Sequence, residues 1–349
     1  MLSTLRRGVV VAVTALALAA CGSGSDAAGS AATTPAEAEQ GQFPVTIKHV
    51  FGSTTIESKP TRPATVSWVN ADVALALGVV PVGMPKDEYG GNAQGSTPWK
   101  DAALEALGAP IGSDKAPAQY SEADGINFAE IAKAAPDVIL AAYSGLTKED
   151  YDKLSKIAPV VAHPKVAYGT PWQESTRIIG SALGLTEEAE QVVTDTEAKI
   201  ATAASDNPQL KGKTFIYGNL EPASGKGVNV YTANDNRPRF LTSLGMTMAP
   251  VVADKGGDAF FVEWSAERAD ELVSDVFVTW VPDDATEAAI TKDPLLSQIP
   301  AVKTGALVAD PDNTLTLSVS AASPLSLPWA LTEFVPQLAA AADKADEAA

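Results

Sequence analysis

From residue 44 onward, short runs of apolar and β-branched residues alternate with stretches of helical periodicity. The strand-like runs are Val45–Val50, Ala64–Val66, Val80–Gly83, Asp137–Ala141, Val160–Ala162, Thr214–Tyr217, Asp275–Trp280 and Ala306–Ala309. Amphipathic segments such as Asn127–Ala134 and Lys148–Ile157 fall between them. Strands separated by helices need crossover connections, which cover both faces of a parallel sheet with helix. One segment interrupts this alternation. Thr186 opens a stretch with Glu187 and Glu188 in its first turn, where carboxylates complement the helix dipole. Ala189, Val192, Val193, Thr196, Ile200 and Ala203 then recur on one helical face. A helix of about 19 residues, roughly 28 Å long, should end near Pro208. No strand separates it from the preceding helical run, Pro171–Leu183. The pattern predicts an α/β protein with mainly parallel sheets, its lobes at 44–165 and 212–349 joined by a helical segment at 166–211.

The halves echo each other. Glu130, in Asn127-Phe-Ala-Glu-Ile, precedes the run Asp137-Val-Ile-Leu by seven positions. Glu267, in Ser265-Ala-Glu, precedes Asp275-Val-Phe-Val by eight. Each reads as a short, acidic-headed helix feeding a buried strand.

Ahead of the folded part, Arg6 and Arg7 precede a run of small apolar residues ending Leu18-Ala-Ala-Cys21-Gly. This is the charge and hydrophobicity order of a secretory signal, too short to span a bilayer comfortably. Its end resembles the lipobox of bacterial lipoproteins. That resemblance implies a signal peptide over 1–20 and a lipidated Cys21, the only cysteine of the chain. Residues 21–43 are small and polar, and would form a flexible tether. The expected location is therefore the cell membrane, lipid-anchored on its extracytoplasmic side.

Composition narrows the chemistry. The chain carries 43 acidic against 25 basic side chains, a net charge of −18. Nucleic-acid binding needs a basic face, so no nucleic-acid partner is expected. Two histidines, His49 and His163, and one cysteine leave no Cys/His metal site or Cys–His nucleophile. A free-metal binder or a hydrolase lacks its signature residues, and no catalytic residue or resident cofactor is expected.

The stretch Asn127-Phe-Ala-Glu-Ile-Ala-Lys-Ala-Ala-Pro136-Asp137-Val-Ile-Leu-Ala-Ala-Tyr143-Ser144-Gly145-Leu146, continued by Tyr151 to Val160, resembles the substrate-binding lipoproteins of iron–siderophore ABC importers. Ile56–Arg62, Ala76–Gly83, Pro171-Trp172 and Arg239–Gly245 extend the similarity. This class of periplasmic binding proteins has two Rossmann-like lobes joined by one long helix, and it includes haem and vitamin B12 binders. The resemblance implies a non-enzymatic receptor that captures a ferric siderophore between its lobes and delivers it to a membrane permease, with haem or vitamin B12 as the alternative ligand. It also implies that carboxylates on the outer surface of each lobe dock to the permease, and Glu130 and Glu267 match those positions. The protein is expected to act as a monomer.

A siderophore already surrounds its iron with oxygen donors, so the protein has to supply aromatic faces and a few hydrogen-bond donors. Trp68, Tyr143, Trp172, Tyr231 and Trp264 lie near strand or segment ends, where open α/β sheets bind ligands. Trp99 and Trp329 are similarly placed, whereas Trp280 ends a central apolar strand and reads as core. Arg237 and Arg239 flank Pro238 in a turn-rich approach to a helix, and a guanidinium fork suits chelating oxyanions. Lys226 is a weaker candidate, because its surroundings lack the remaining spacing of a phosphate loop.

Overall fold

The computed structural model describes residues 43–222 and 227–348, which form one compact unit. Cys21 and Lys226 lie outside the described residues. Thirteen strands are found among them. An antiparallel hairpin, β1 (Val45–His49) and β2 (Gly52–Ile56), precedes the first large sheet. That sheet contains β3 (Pro63–Thr65), β4 (Gly83–Pro85), β5 (Ala118–Tyr120), β6 (Val138–Leu140) and β7 (Val160–Val161). All its pairings are parallel, in the order β5-β4-β3-β6-β7. The second sheet contains β8 (Thr214–Leu220), β9 (Val228–Tyr231), β10 (Thr247–Met248), β11 (Phe261–Trp264), β12 (Val276–Trp280) and β13 (Leu307–Asp310). Its order is β11-β9-β8-β12-β13, with β10 beside the start of β8. The β8–β12 and β12–β13 pairs are parallel, while β9 adds an antiparallel ribbon.

The connecting helix runs from Thr186 to Asp206, 21 residues, or about 31 Å of rod. Helix Trp172–Leu183 precedes it and stops at Gly184, which takes the left-handed conformation common at helix ends. Ala189, Val193, Thr196 and Ile200 are the buried stripe of the long helix.

The expected strand Val80–Gly83 forms instead at Gly83–Pro85. Two prolines frame the difference: Pro81 cannot donate to a ladder, while Val82 donates to the Pro63 carbonyl just ahead of the pairing. The helix expected over 148–157 ends at Leu154, short of Pro159.

The echo between the halves has a physical form. Asp137, just before β6, accepts from the backbone N–H groups of Thr61 and Arg62 ahead of β3. Asp275, just before β12, accepts from the backbone N–H and hydroxyl of Thr214 at the start of β8. Each aspartate thus fastens the start of a central strand to that of its parallel neighbour. The helices preceding them differ: Phe128–Lys133 is α-helical, whereas Ala266–Glu271 is a 3-10 turn broken at Arg268.

Candidate functional site

The C-terminal ends of both sheets face a common cleft of about 440 Å³. Trp68 follows β3, Tyr89 follows β4, Tyr143 follows β6 and Tyr168 follows β7. Across from them, Tyr231 ends β9, Trp280 ends β12, and Arg237 opens the helix Asn236–Ser243. For Trp68, Tyr89, Tyr143, Tyr168 and Trp280 the placement follows from the backbone, since the chain leaves a parallel sheet there and turns over its edge; Tyr231 ends the antiparallel β9 instead.

Local geometry fixes the aromatic wall of the first sheet. The buried amide of Asn70 donates to the carbonyls of Val66 and Tyr143 and accepts from the Tyr143 N–H, tying the turns after β3 and β6 together. Ser67 stands in the left-handed region at φ 61°, and its N–H is held by the Glu122 carboxylate at 3.0 Å. This turn projects Trp68, which remains 43% exposed despite its size. Tyr168, also left-handed at φ 56°, stacks on Trp68 at 6.0 Å and meets Tyr143 edge-on at 5.9 Å. Gly145 makes room for it: a Cβ there would lie 2.3 Å from the Tyr168 ring. The Tyr143 hydroxyl reaches the Ser320 carbonyl at 3.5 Å, on the opposite side of the cleft.

The opposing wall is built around Arg237. Its guanidinium lies over the Tyr231 ring, 3.4 Å from the centroid, and Tyr231 meets Tyr217 edge-on. Asp235 takes two hydrogen bonds of 2.7 Å from Arg237 Nε and Nη2, and also caps the helix by accepting from the Arg237 N–H. Burial pulls the guanidinium towards deprotonation, but the Asp235 carboxylate outweighs it and holds the group firmly charged. Burial raises the phenols of Tyr143 and Tyr231, and pushes Tyr89 up to about 12, so these rings stay neutral.

The structure therefore brings Trp68, Tyr143, Tyr231 and Arg237 together on one cleft. It places the other three ligand candidates elsewhere. Trp172 is 7% exposed and packs in the core with Val193 and Phe334. Trp264 lies on edge strand β11, where it donates to the Arg268 carbonyl under the Arg268 guanidinium. Arg239 donates to the Gly169 carbonyl and lines a neighbouring polar hollow with Glu174 and Asp258. Trp99 and Trp329 pack on each other behind Tyr143. Trp280 is not core: as the last residue of β12 it emerges at the sheet edge, where it meets Tyr89 edge-on and donates to Asn313. Glu130 and Glu267 are exposed on other parts of the surface, and Glu130 pairs with Lys133 at 3.3 Å.

Tyr89, Tyr168, Phe260 and Asn219 line the cleft without having been singled out in the sequence. Tyr89 and Tyr168 lie several positions beyond the ends of β4 and β7, in loops that carry no periodic signal. Among the described residues, no group of three or more His, Cys, Asp or Glu could hold a metal ion.

Two α/β halves joined by a long helix, with an aromatic cleft where their strand ends meet, define a two-lobed solute-binding protein. The chain belongs to the periplasmic binding protein family, whose pattern it matches over residues 64–314. It is similar to PiaA of Streptococcus pneumoniae TIGR4, solved in complex with ferrichrome: 39% identity, 86% of this chain and 99% of that one covered, TM-score 0.80. It is also 25% identical to the putative ABC transporter substrate-binding lipoprotein YhfQ of Bacillus subtilis, covering 75% of this chain and 79% of YhfQ. The probable siderophore-binding lipoprotein YfiY of the same organism is 25% identical, with 74% of this chain and 78% of YfiY covered.

Proposed function

We propose that this protein is the substrate-binding component of an ABC importer, and that it captures a ferric siderophore in the cleft for delivery to a membrane permease. The observation that carries the reading is the cleft itself: aromatic faces from two sheets surround a single guanidinium. Such walls suit an organic chelate that keeps its iron wrapped in its own oxygens, leaving the protein to contact the shell. The likeness to PiaA, which binds ferrichrome, supports the same ligand type.

Delivery requires proximity to the membrane. No helix among the described residues is long and apolar enough to cross one. The lipid anchor at Cys21 would supply it, and the lipoprotein names of YhfQ and YfiY support that assignment. A tether raises the local concentration of receptor at its permease without new contacts. Glu130 and Glu267, exposed on separate lobes, are the carboxylates proposed to meet the permease.

Titration of the protein's tryptophan fluorescence with ferrichrome, haemin and cobalamin tests the ligand class. Trp68 and Trp280 should be quenched by ferrichrome and unaffected by the other two. Saturable quenching by haemin or cobalamin, with none by ferrichrome, would overturn the siderophore reading.

A further inference from the structure

We infer that Asp235 sets the charge selectivity of the cleft, tuning it to ferric chelates that carry no net charge. The inference rests on the siderophore reading and adds to it the charge class of ligand. Among the described lining residues, Asp235 and Arg237 are the only ones with a formal charge, and they cancel. The bonds of the pair are made entirely within the turn that carries it. Both residues lie within one turn, two bonds join their side chains, and a third runs from the Arg237 N–H to the same carboxylate. Side-chain exposure is 15% for Arg237 and 5% for Asp235, so water does little to loosen them.

An arginine held in this way still works as a donor. Its Nε–Nη2 edge is committed to Asp235 and its face to Tyr231, leaving Nη1 as the amino group not tied to the carboxylate. It offers directional hydrogen bonding to chelating oxygens without a net positive field. The other ionisable groups that line or border the cleft add little positive charge to it. Tyr89, Tyr143, Tyr168 and Tyr231 are neutral phenols, and Glu122 and Asp310 are acids that add no positive charge. A further cation, Arg239, acts on Asp235 and Tyr143 from the adjoining hollow, where it donates to the Gly169 carbonyl and does not line the cleft. Three hydroxamates cancel the charge of ferric iron, whereas three catecholates leave a trianion. The trianion would enter a cleft whose one lining cation is already paired, and would meet the Asp235 carboxylate at close range in a low-dielectric site.

Two synthetic tripodal ferric chelates built on one scaffold, one tris-hydroxamate and one tris-catecholate, separate charge from shape. The wild-type protein should prefer the hydroxamate by at least a hundredfold. Asp235→Asn keeps a competent helix cap and should narrow that ratio at least tenfold by freeing the Arg237 charge. Arg237→Gln leaves a lone carboxylate and should widen it. The two variants move the ratio in opposite directions, so either one decides if the other does not fold, which thermal melting will reveal. Equal wild-type affinities, or a ratio unmoved in a folded variant, overturn the inference alone. Wild-type protein that binds neither chelate overturns the siderophore reading and this inference with it.

Discussion

The hydroxyl of Ser323 donates to Asp72 Oδ2 at 2.7 Å, a bond between two buried side chains that joins the segment after β13 to the helix after β3. The same carboxylate oxygen accepts from Trp99 Nε1 at 2.8 Å, and Lys100 Nζ stands 3.3 Å from Oδ1. Lys100 also bonds both oxygens of Asp87 and reaches the Trp68 carbonyl. One buried ammonium thus ties together the turns that carry Trp68 and Tyr89. Removing it strands two carboxylates out of water, which costs several kcal/mol. Lys100→Met should lower unfolding free energy by about 3–5 kcal/mol in urea titrations. A loss below about 1 kcal/mol would mean that the cluster rearranges freely.

Trp68 and Trp172 are chemically the same, and their mutants should fail differently. Trp68→Ala removes an exposed cleft face and should weaken ferrichrome binding by about 1–3 kcal/mol, with melting temperature near wild type. Trp172→Ala opens a cavity in the core and should cost about 3–5 kcal/mol of stability while the folded fraction binds normally. Fluorescence titration beside thermal melting would separate the two; the opposite pattern would move Trp172 into the binding site.

Acid should act on the fold through two opposed sets of groups. Burial holds His49 and His163 below their ordinary value of 6.5. The hydrogen bonds of His49 suit the neutral ring: Nδ1 accepts from the Phe51 N–H, and Nε2 faces Thr54, whose hydroxyl donates to the Val160 carbonyl. Below 6.5 the unfolded chain takes up protons that these folded histidines refuse, so stability falls as pH drops. Burial works the other way on carboxyls, pushing Glu122 up to about 7 and Asp310 to about 6. Between their unfolded values and these, the folded state binds the extra proton, so stability rises as pH drops. Glu122→Gln removes one of the compensating groups and keeps an acceptor for the Ser67 N–H. From pH 7.5 to about 5.5, the variant should lose stability relative to wild type. Parallel stability curves would show that Glu122 does not titrate in this range.

Docking and capture should separate genetically. Glu130→Ala combined with Glu267→Ala should abolish siderophore-dependent iron uptake in cells while solution affinity stays at the wild-type level. Both side chains lie away from the cleft, so a fall in affinity would point to a damaged fold. Normal uptake would reduce Glu130 to the partner of Lys133 and a favourable charge in the first turn of its helix, worth about 0.3–1 kcal/mol.

The α/β class was legible because the central strands are buried on both faces and read as unbroken apolar runs: Val138-Ile-Leu and Val276-Phe-Val are the clearest. The long helix was legible for the opposite reason, a single stripe on an otherwise polar surface. Strands that owe their existence to a neighbour left little trace. β2, Gly-Ser-Thr-Thr-Ile, is polar and exists by pairing with β1. β5 has three residues, and β11 is an edge strand. At the site, Trp68, Tyr143, Tyr231 and Arg237 could be selected because aromatic and guanidinium chemistry narrows the choice near strand ends. Sequence read Trp172 as a cleft residue and Trp280 as core, and the structure places them the other way round. Whether the last residue of an apolar strand turns inward or emerges at the sheet edge depends on where the covering helices stop.

Gly90 lies against the segment that opens at Asn313, and Thr314 donates to its carbonyl at 2.8 Å. A Cβ at residue 90 would sit 2.5 Å from the Asn313 carbonyl oxygen, and φ 71° independently excludes most other residues. At this rim the two sides approach so closely that no side chain fits at residue 90. Side chains deeper in the cleft can drift over evolutionary time while the gauge of the opening stays constant. Receptors descended from this one could change the cargo they accept and inherit the same mouth.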